Sequence, residues 1–276
     1  MISRRFLELL ACPTCGGHEL NLGAGKRPEL KCESCDSRFP IVDGIIDMMP
    51  QQRSVQPGQY RTETLFDLIA GVYDVVAPVM SVGIWHCSPL RYIDQENRAV
   101  GRANGGVLLK APIATGIVID KVLAPYHDIA VLGVDSSWKM LRKAKARLEE
   151  HGVPFLLLRA DLSRLPLRDN SVDGVQSVNG LHTFVERQKV VSEWLRVAKP
   201  ESVISGSALI RGQEGTADAA LDLFEQYGVY PMLRSGRFLV EELNNSGVEA
   251  IHHEMYGAVM FYAGHKKVEM LAENAG

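Results

Sequence analysis

The sequence has no excess of charge of either sign: 33 acidic and 30 basic side chains leave a formal charge of −3 over 276 residues, with a pI near 6.3. Such a balance gives no overall reason to follow a polyanion. Long apolar runs are missing too. Lys110 and Asp120 break the most apolar stretch, so no window reaches the roughly 18 residues of a membrane span. Glycine and proline, 25 and 13 in number, are scattered without period, which excludes a collagen-like or low-complexity chain. Arg4 and Arg5 followed by Phe6 to Cys12 imitate an export signal, but Glu8 interrupts an apolar segment already shorter than the roughly 7–15 residues required. Cysteine is nearly absent beyond residue 35, where Cys87 stands alone. A cytoplasmic protein with reduced thiols is expected.

The cysteines that are present lie together. Cys12-Pro13-Thr14-Cys15 and Cys32-Glu33-Ser34-Cys35 form two CxxC knuckles with sixteen residues between them, a spacing suited to four-thiolate zinc. The two-residue gap lets a tight turn aim two sulfurs at one ion, and two such turns complete a tetrahedron. Four sulfurs leave no position for water, so the expected Zn2+ is structural; disulfides are the rival reading, and His18 is a less favoured substitute ligand. About 50 residues bury too little apolar surface to fold comfortably alone, which is a second reason for metal. Residues 1–50 carry six Lys or Arg against seven Asp or Glu, a net −1 that disfavours RNA binding by this segment. Residues 51–64 read as a polar linker, and residues 65–276 as a second domain.

In that second domain strand-like runs alternate with helical periodicity. Strands are expected at 107–109, 129–135, 155–159, 174–177, 203–209, 248–253 and 258–263, with a helix over 138–150. Alternation of this kind predicts an α/β fold, a Rossmann-like, doubly wound and mostly parallel seven-stranded sheet whose ligands sit at the carboxyl ends of its strands. The gap Glu254-Met255-Tyr256-Gly257 is too short for a crossover, so the last two strands form an antiparallel hairpin. Asp135 closes the second strand, where a carboxylate can accept both hydroxyls of a ribose; capping its helix is the alternative. Asp161 follows the third strand, and Asn179-Gly180-Leu181-His182 closes the fourth.

The ribbon sequence, with Phe39-Pro40-Ile41-Val42-Asp43-Gly44-Ile45 after the knuckles, resembles a small zinc-ribbon partner of eukaryotic tRNA and protein methyltransferases, also found fused to some bacterial and plant methyltransferases. Residues 65–265, through the segments 133–141, 157–167, 170–182 and 193–200, resemble class I methyltransferases that use S-adenosylmethionine. The resemblance implies a cofactor site of Ala111, Pro112, Ala114, Gly116, Asp135, Ser136, Met140, Asp161, Leu162 and Asn179. Asp135 would hold the ribose, Asp161 and Leu162 the adenine, and Asn179 the methionine part, with Tyr73 of an N-terminal lid that includes Phe66-Asp67 and Tyr73-Asp74. One departure stands out. The family's acid-x-Gly-x-Gly-x-Gly loop is here Lys110, Pro112, Ala114 and Gly116; Ala114 suits a negative φ, and Lys110 would repel the cofactor's ammonium unless it meets the cofactor's carboxylate or turns away.

The acceptor side resembles bacterial and chloroplast methyltransferases of small molecules or lipids. A small-molecule acceptor is therefore expected, with an apolar insertion at 213–240 including Phe224, Tyr227, Tyr230 and Met232. His182 is the candidate general base; Trp85, His86 and Cys87 line the acceptor pocket or pack the core. An rRNA or tRNA methyltransferase with an RNA-gripping ribbon, and a silent scaffold with a degenerate cofactor loop, are the alternatives. The oligomeric state is not legible.

Overall fold

The computed structural model describes residues 2–23, 27–50, 67–227, 229, 231 and 235–267. The linker at 51–64 and Phe66, Tyr230 and Met232 lie outside the described residues. In the N-terminal part a short helix α1 (Arg4–Leu7) precedes strands β1 (Leu20–Leu22), β2 (Glu29–Cys32), β3 (Arg38–Val42) and β4 (Ile45–Asp47). Two helices follow, α2 (Tyr73–Gly83) and α3 (Pro89–Arg102). The alternating part runs β5 (Val107–Lys110), α4 (Ile117–Asp120), β6 (Ala130–Asp135), α5 (Trp138–His151), β7 (Phe155–Arg159) and β8 (Val172–Ser177). It continues through α6 (Arg187–Val197), β9 (Ala198–Leu209), α7 (Gly215–Gln226), α8 (Gly236–Ser246), β10 (Val248–Tyr256) and β11 (Val259–Lys266).

Local chemistry sets these boundaries. Ser137 caps α5 by accepting the Met140 N–H, Gly152 ends it in the left-handed region at φ 68°, and Ser88 with Pro89 opens α3. Strands β5 and β6 are buried along their whole length, as both faces of the sheet are covered. The sheet order is β1-β2-β3-β4-β7-β6-β5-β8-β9-β11-β10. Strands β5 to β9 are parallel, and β11 pairs antiparallel with both β9 and β10, the expected edge hairpin.

The seven strands β5 to β11 make the expected sheet, but it does not stop there. Strand β4 pairs parallel with β7 in the register Ile45↔Leu157, Ile46↔Leu158, Asp47↔Arg159, so the four ribbon strands carry one sheet on to eleven. Further main-chain bonds fasten the ribbon: Ala11 N–H donates to Pro166 O at 3.0 Å and Arg168 N–H to Leu9 O at 2.8 Å. The ribbon has no separate core either, since Phe6, Leu10, Leu30, Ile46 and Met48 pack into one cluster with Leu156, Leu158, Leu167 and Trp194. Burial shared in this way supplies apolar area that so short a segment lacks by itself.

Candidate active site

The metal centre is fixed by the two knuckles. Cys12 Sγ lies 3.7 Å from Cys35 Sγ, and Cys15 Sγ lies 3.7 Å from Cys32 Sγ. All four sulfurs fall within 4.8 Å of one another. Sulfurs about 2.3 Å from a tetrahedral zinc stand roughly 3.8 Å apart, so the four fit Zn2+ closely, whereas disulfide sulfurs would be near 2 Å. His18 is exposed and outside the cluster.

The second site lies at the carboxyl ends of β5, β6, β7 and β8, where four loops converge. The loop after β5 is folded onto β6: Ile113 N–H donates to Val134 O, and Ala114 N–H to Asp135 Oδ2 at 2.9 Å. Asp135 is buried, and its Oδ1 accepts the Ser137 N–H at 3.0 Å. Ala114 has φ +51°, against the negative value expected from its sequence; the bond to Asp135 compensates a backbone normally left to glycine. At Gly116, with φ +70°, a Cβ would stand 3.3 Å from Ala144 Cα, so loss of the side chain lets the loop close on α5. Ala111 and Met140 are fully buried behind the loop, while Pro112, Ala114 and Ser136 are half-buried.

Lys110 does not face this loop with a bare charge. Its Nζ lies 2.6 Å from both carboxylate oxygens of Glu96 on α3 and 2.6 Å from Gln176 Oε1. Lysine and glutamate are 3% and 0% exposed. Burial pulls the lysine pKa down and the glutamate pKa up, and each charge supports the other. The expected repulsion of a bound ammonium is therefore absent, because the charge is neutralised where it arises.

Asp161 and Leu162 follow β7; Asp161 Oδ1 accepts both the N–H and the hydroxyl of Ser163, and Leu162 is buried. Asn179, after β8, has φ +48° and is held by Ser207, whose Oγ accepts its N–H at 3.0 Å and donates to its Oδ1 at 2.9 Å. Its Nδ2 donates to Tyr92 Oη at 3.0 Å. His182 lies in a turn beyond Gly180, almost wholly buried, with Nδ1 accepting the Leu209 N–H at 3.3 Å. Burial and the charge of Arg187 lower its pKa to about 3, so the ring is neutral, and acceptance at Nδ1 puts the proton on Nε2.

Residues 67–83 are bonded to the loop after β5 and to α5. Asp74 accepts from Thr115 Oγ1 at 2.6 Å, Arg147 Nη2 at 2.9 Å and Lys143 Nζ at 3.0 Å. Burial opposes its charge, but those donors hold its pKa below the ordinary carboxylate value. Asp67 accepts from the Ser137 hydroxyl. Loss of hydration and the nearby charges of Asp135 and Asp74 push the Tyr73 phenol up to about 12, so it keeps its proton. Beside Asn179 lies an apolar cluster: Trp85, Cys87, Tyr92, Leu221 and Phe261, with Met80 and Phe224 packed against it. Cys87 and Trp85 are buried there, and His86 is exposed, bonded to Thr216 Oγ1 at 2.8 Å.

Sequence reasoning missed Glu96, Tyr92, Ser207 and the role of Arg159. Glu96 carries no motif, and only an unpaired lysine at a buried strand end signalled that a partner had to exist. Arg159 links the ribbon to the site: its guanidinium donates to both oxygens of Asp47 at 3.2 Å, and its Nε to Ser136 O at 2.9 Å.

An acid at the tip of the second strand, loops gathered at a topological switch point and an antiparallel last hairpin define a class I α/β transferase fold. Residues 113–205 match the family described as a methyltransferase domain, and residues 3–44 match the Trm112p-like proteins. A ubiquinone/menaquinone biosynthesis C-methyltransferase of Syntrophotalea carbinolica is 33% identical over 151 residues, 54% of this chain and 60% of that protein. An uncharacterised chloroplastic methyltransferase of Arabidopsis thaliana is 24% identical over 228 residues, 76% of this chain and 64% of that protein. The chain thus spans less than two thirds of the length of either relative. The same fold occurs in a Haemonchus contortus phosphoethanolamine N-methyltransferase solved with S-adenosyl-L-methionine (TM-score 0.59, 15% identity, 79% of this chain and 62% of that chain). It also occurs in a complex of the Haloferax volcanii Trm112 methyltransferase activator with a methyltransferase (TM-score 0.55, 17% identity, 74% of this chain and 98% of that chain). Over residues 113–205 the chain is thus similar to class I S-adenosylmethionine-dependent methyltransferases, and over residues 3–44, where four cysteines fit zinc, to the Trm112p-like proteins.

Proposed function

We propose that the chain transfers a methyl group from S-adenosylmethionine to a small apolar acceptor, with a quinone-like aromatic ring as the acceptor class. The cofactor, when bound, supplies an electrophilic methyl on a sulfonium. The donor set fits it: Asp135, a carboxylate fixed at the tip of β6 by two main-chain donors, suits the ribose hydroxyls, Asp161 with Leu162 suits adenine, and Asn179 with the 111–116 loop suits the methionine part. Tyr73, kept protonated, closes over the ribose side. One observation carries the acceptor class. The cluster of Trp85, Tyr92, Phe224 and Phe261 adjoins Asn179 through the Tyr92 hydroxyl, so an apolar ring could stack beside the methyl donor. Likeness to quinone C-methyltransferases supports the same reading.

His182 serves here as a positioning residue. Its basic nitrogen is engaged by Leu209 and its ring is neutral, so it fixes the turn after β8 against β9. Placement of the acceptor in line with the methyl supplies most of the rate. The ribbon acts in cis as a buttress, through Asp47 and Arg159, for the loop that carries Asp135.

The test combines calorimetry with S-adenosylhomocysteine and transfer from labelled S-adenosylmethionine to a naphthoquinol with one unsubstituted quinone-ring position. Label in the extracted quinol is the expected result. Cofactor binding without transfer would overturn the acceptor class, and absence of binding at millimolar cofactor would overturn the enzyme.

A further inference from the structure

Helix α2 is amphipathic in the wrong sense for a domain helix. Its polar side chains Asp74 and Ser81 turn inward, Asp74 to Thr115 and Arg147 and Ser81 to the Cys87 carbonyl at 2.7 Å. Its valines turn outward: Val75, Val79 and Val82 are 70%, 67% and 58% exposed, and Leu68, Val72 and Leu90 beside them are also more than half exposed. Single exposed apolar residues need no explanation, but a continuous stripe of this kind marks an interaction surface.

Charge and position indicate what covers it. No cation or unpaired acid lies on α2 itself, so the flanking charges that set register between two helices are missing. Cations stand instead at both ends of the stripe. Exposed Lys139 adjoins its N-terminal end, where its N–H approaches Asp67, while the neighbouring Lys143 is taken up by Asp74; exposed Arg91, lying over the Tyr256 ring, follows Leu90 at the other end. On the inner side of the same helix Met80, with Ile84 just past its end, packs against Trp85, Phe224 and Phe261. The outer face and the aromatic cluster are therefore two sides of one wall. An α2 of 11 residues extends about 16 Å, far short of the ~30 Å hydrocarbon core, so it can lie on a bilayer but not cross it.

We propose that the outward face of α2, with Leu68, Leu90 and the cations at its two ends, is a docking surface for an anionic lipid bilayer, from which the acceptor enters beneath the helix. The acceptor clause rests on the apolar-acceptor reading above; docking itself does not. Shallow insertion of valines together with attraction of cations to anionic headgroups is the ordinary physics of interfacial helices.

Sedimentation of the full, zinc-loaded chain with vesicles of phosphatidylcholine and phosphatidylglycerol tests it. Wild type should co-sediment, and less so with phosphatidylcholine alone. The double variants V75E/V79E and V75Q/V79Q should each lower partitioning on the order of tenfold, and Lys139→Gln about fivefold on anionic vesicles only. S-adenosylhomocysteine binding, measured by calorimetry, should stay at the wild-type value in all of them and separates lost docking from lost folding. Wild type remaining in the supernatant overturns the proposal, as does binding undiminished in both double variants. A dimer seen by sedimentation velocity and dissociated by V75E/V79E would assign the face to a second copy and overturn it too.

Discussion

Lys110 occupies the place of an acid, and the exchange of sign is answered from another element by Glu96. A buried pair of this kind adds little net stability, but breaking it is costly because an ion is left without a partner. Glu96→Ala should destabilise the fold by about 3–5 kcal/mol in urea unfolding, while the double replacement K110M/E96L should recover most of that loss. His182 gives a pH signature. Its folded pKa, about 3, lies below the unfolded value, so the unfolded chain binds the extra proton first as pH falls. Its contribution is complete above about pH 6.5 and is lost downwards towards pH 3, at up to about 1.4 kcal/mol per pH unit. His182→Phe should flatten that part of the stability profile, and the wild-type kcat should show no ionisation of this ring near pH 6.5.

Most elements were legible because their signals are local. The apolar runs at 107–109, 129–135 and 155–159 and the helical period over 138–150 depend on neighbours within a few residues, and strands and helix formed where they predict. What was not legible is pairing over distance. No period in residues 45–47 names residues 157–159 as a partner, although one trace existed: Ile45 and Ile46 are successive, point to opposite faces and are both fully buried, the mark of an interior strand rather than an edge. In the candidate site, acids at strand tips were legible, while Glu96, Tyr92 and Ser207 were not, since each acts through a residue far away in sequence. The β4–β7 junction yields its own prediction. Asp47→Ala removes both acceptors of the Arg159 Nη1 and should weaken S-adenosylhomocysteine binding about three- to tenfold by calorimetry, a loss of the 0.5–1.5 kcal/mol scale of one hydrogen-bonded contact, with the zinc content unchanged.

At the scale of the molecule, one core runs from the zinc-ribbon knuckles across the sheet to Met260 and Tyr262 of β11, and among the described residues no helix is long and apolar enough to cross a membrane. The ribbon and the second-strand tip are thereby mechanically linked: the four-cysteine knuckles fold the ribbon, the ribbon pairs with β7, and Arg159 holds the Ser136 carbonyl beside Asp135. Four-thiolate ligation predicts about one zinc per chain and loss of metal in Cys32→Ser. The pairing of β7 with the ribbon has a further consequence. Without β4, β7 would present a row of free N–H and C=O groups, a template on which another chain can pair. The ribbon is thus also a guard against self-association. Chelating the zinc should therefore appear first as concentration-dependent light scattering, before the rest of the sheet unfolds.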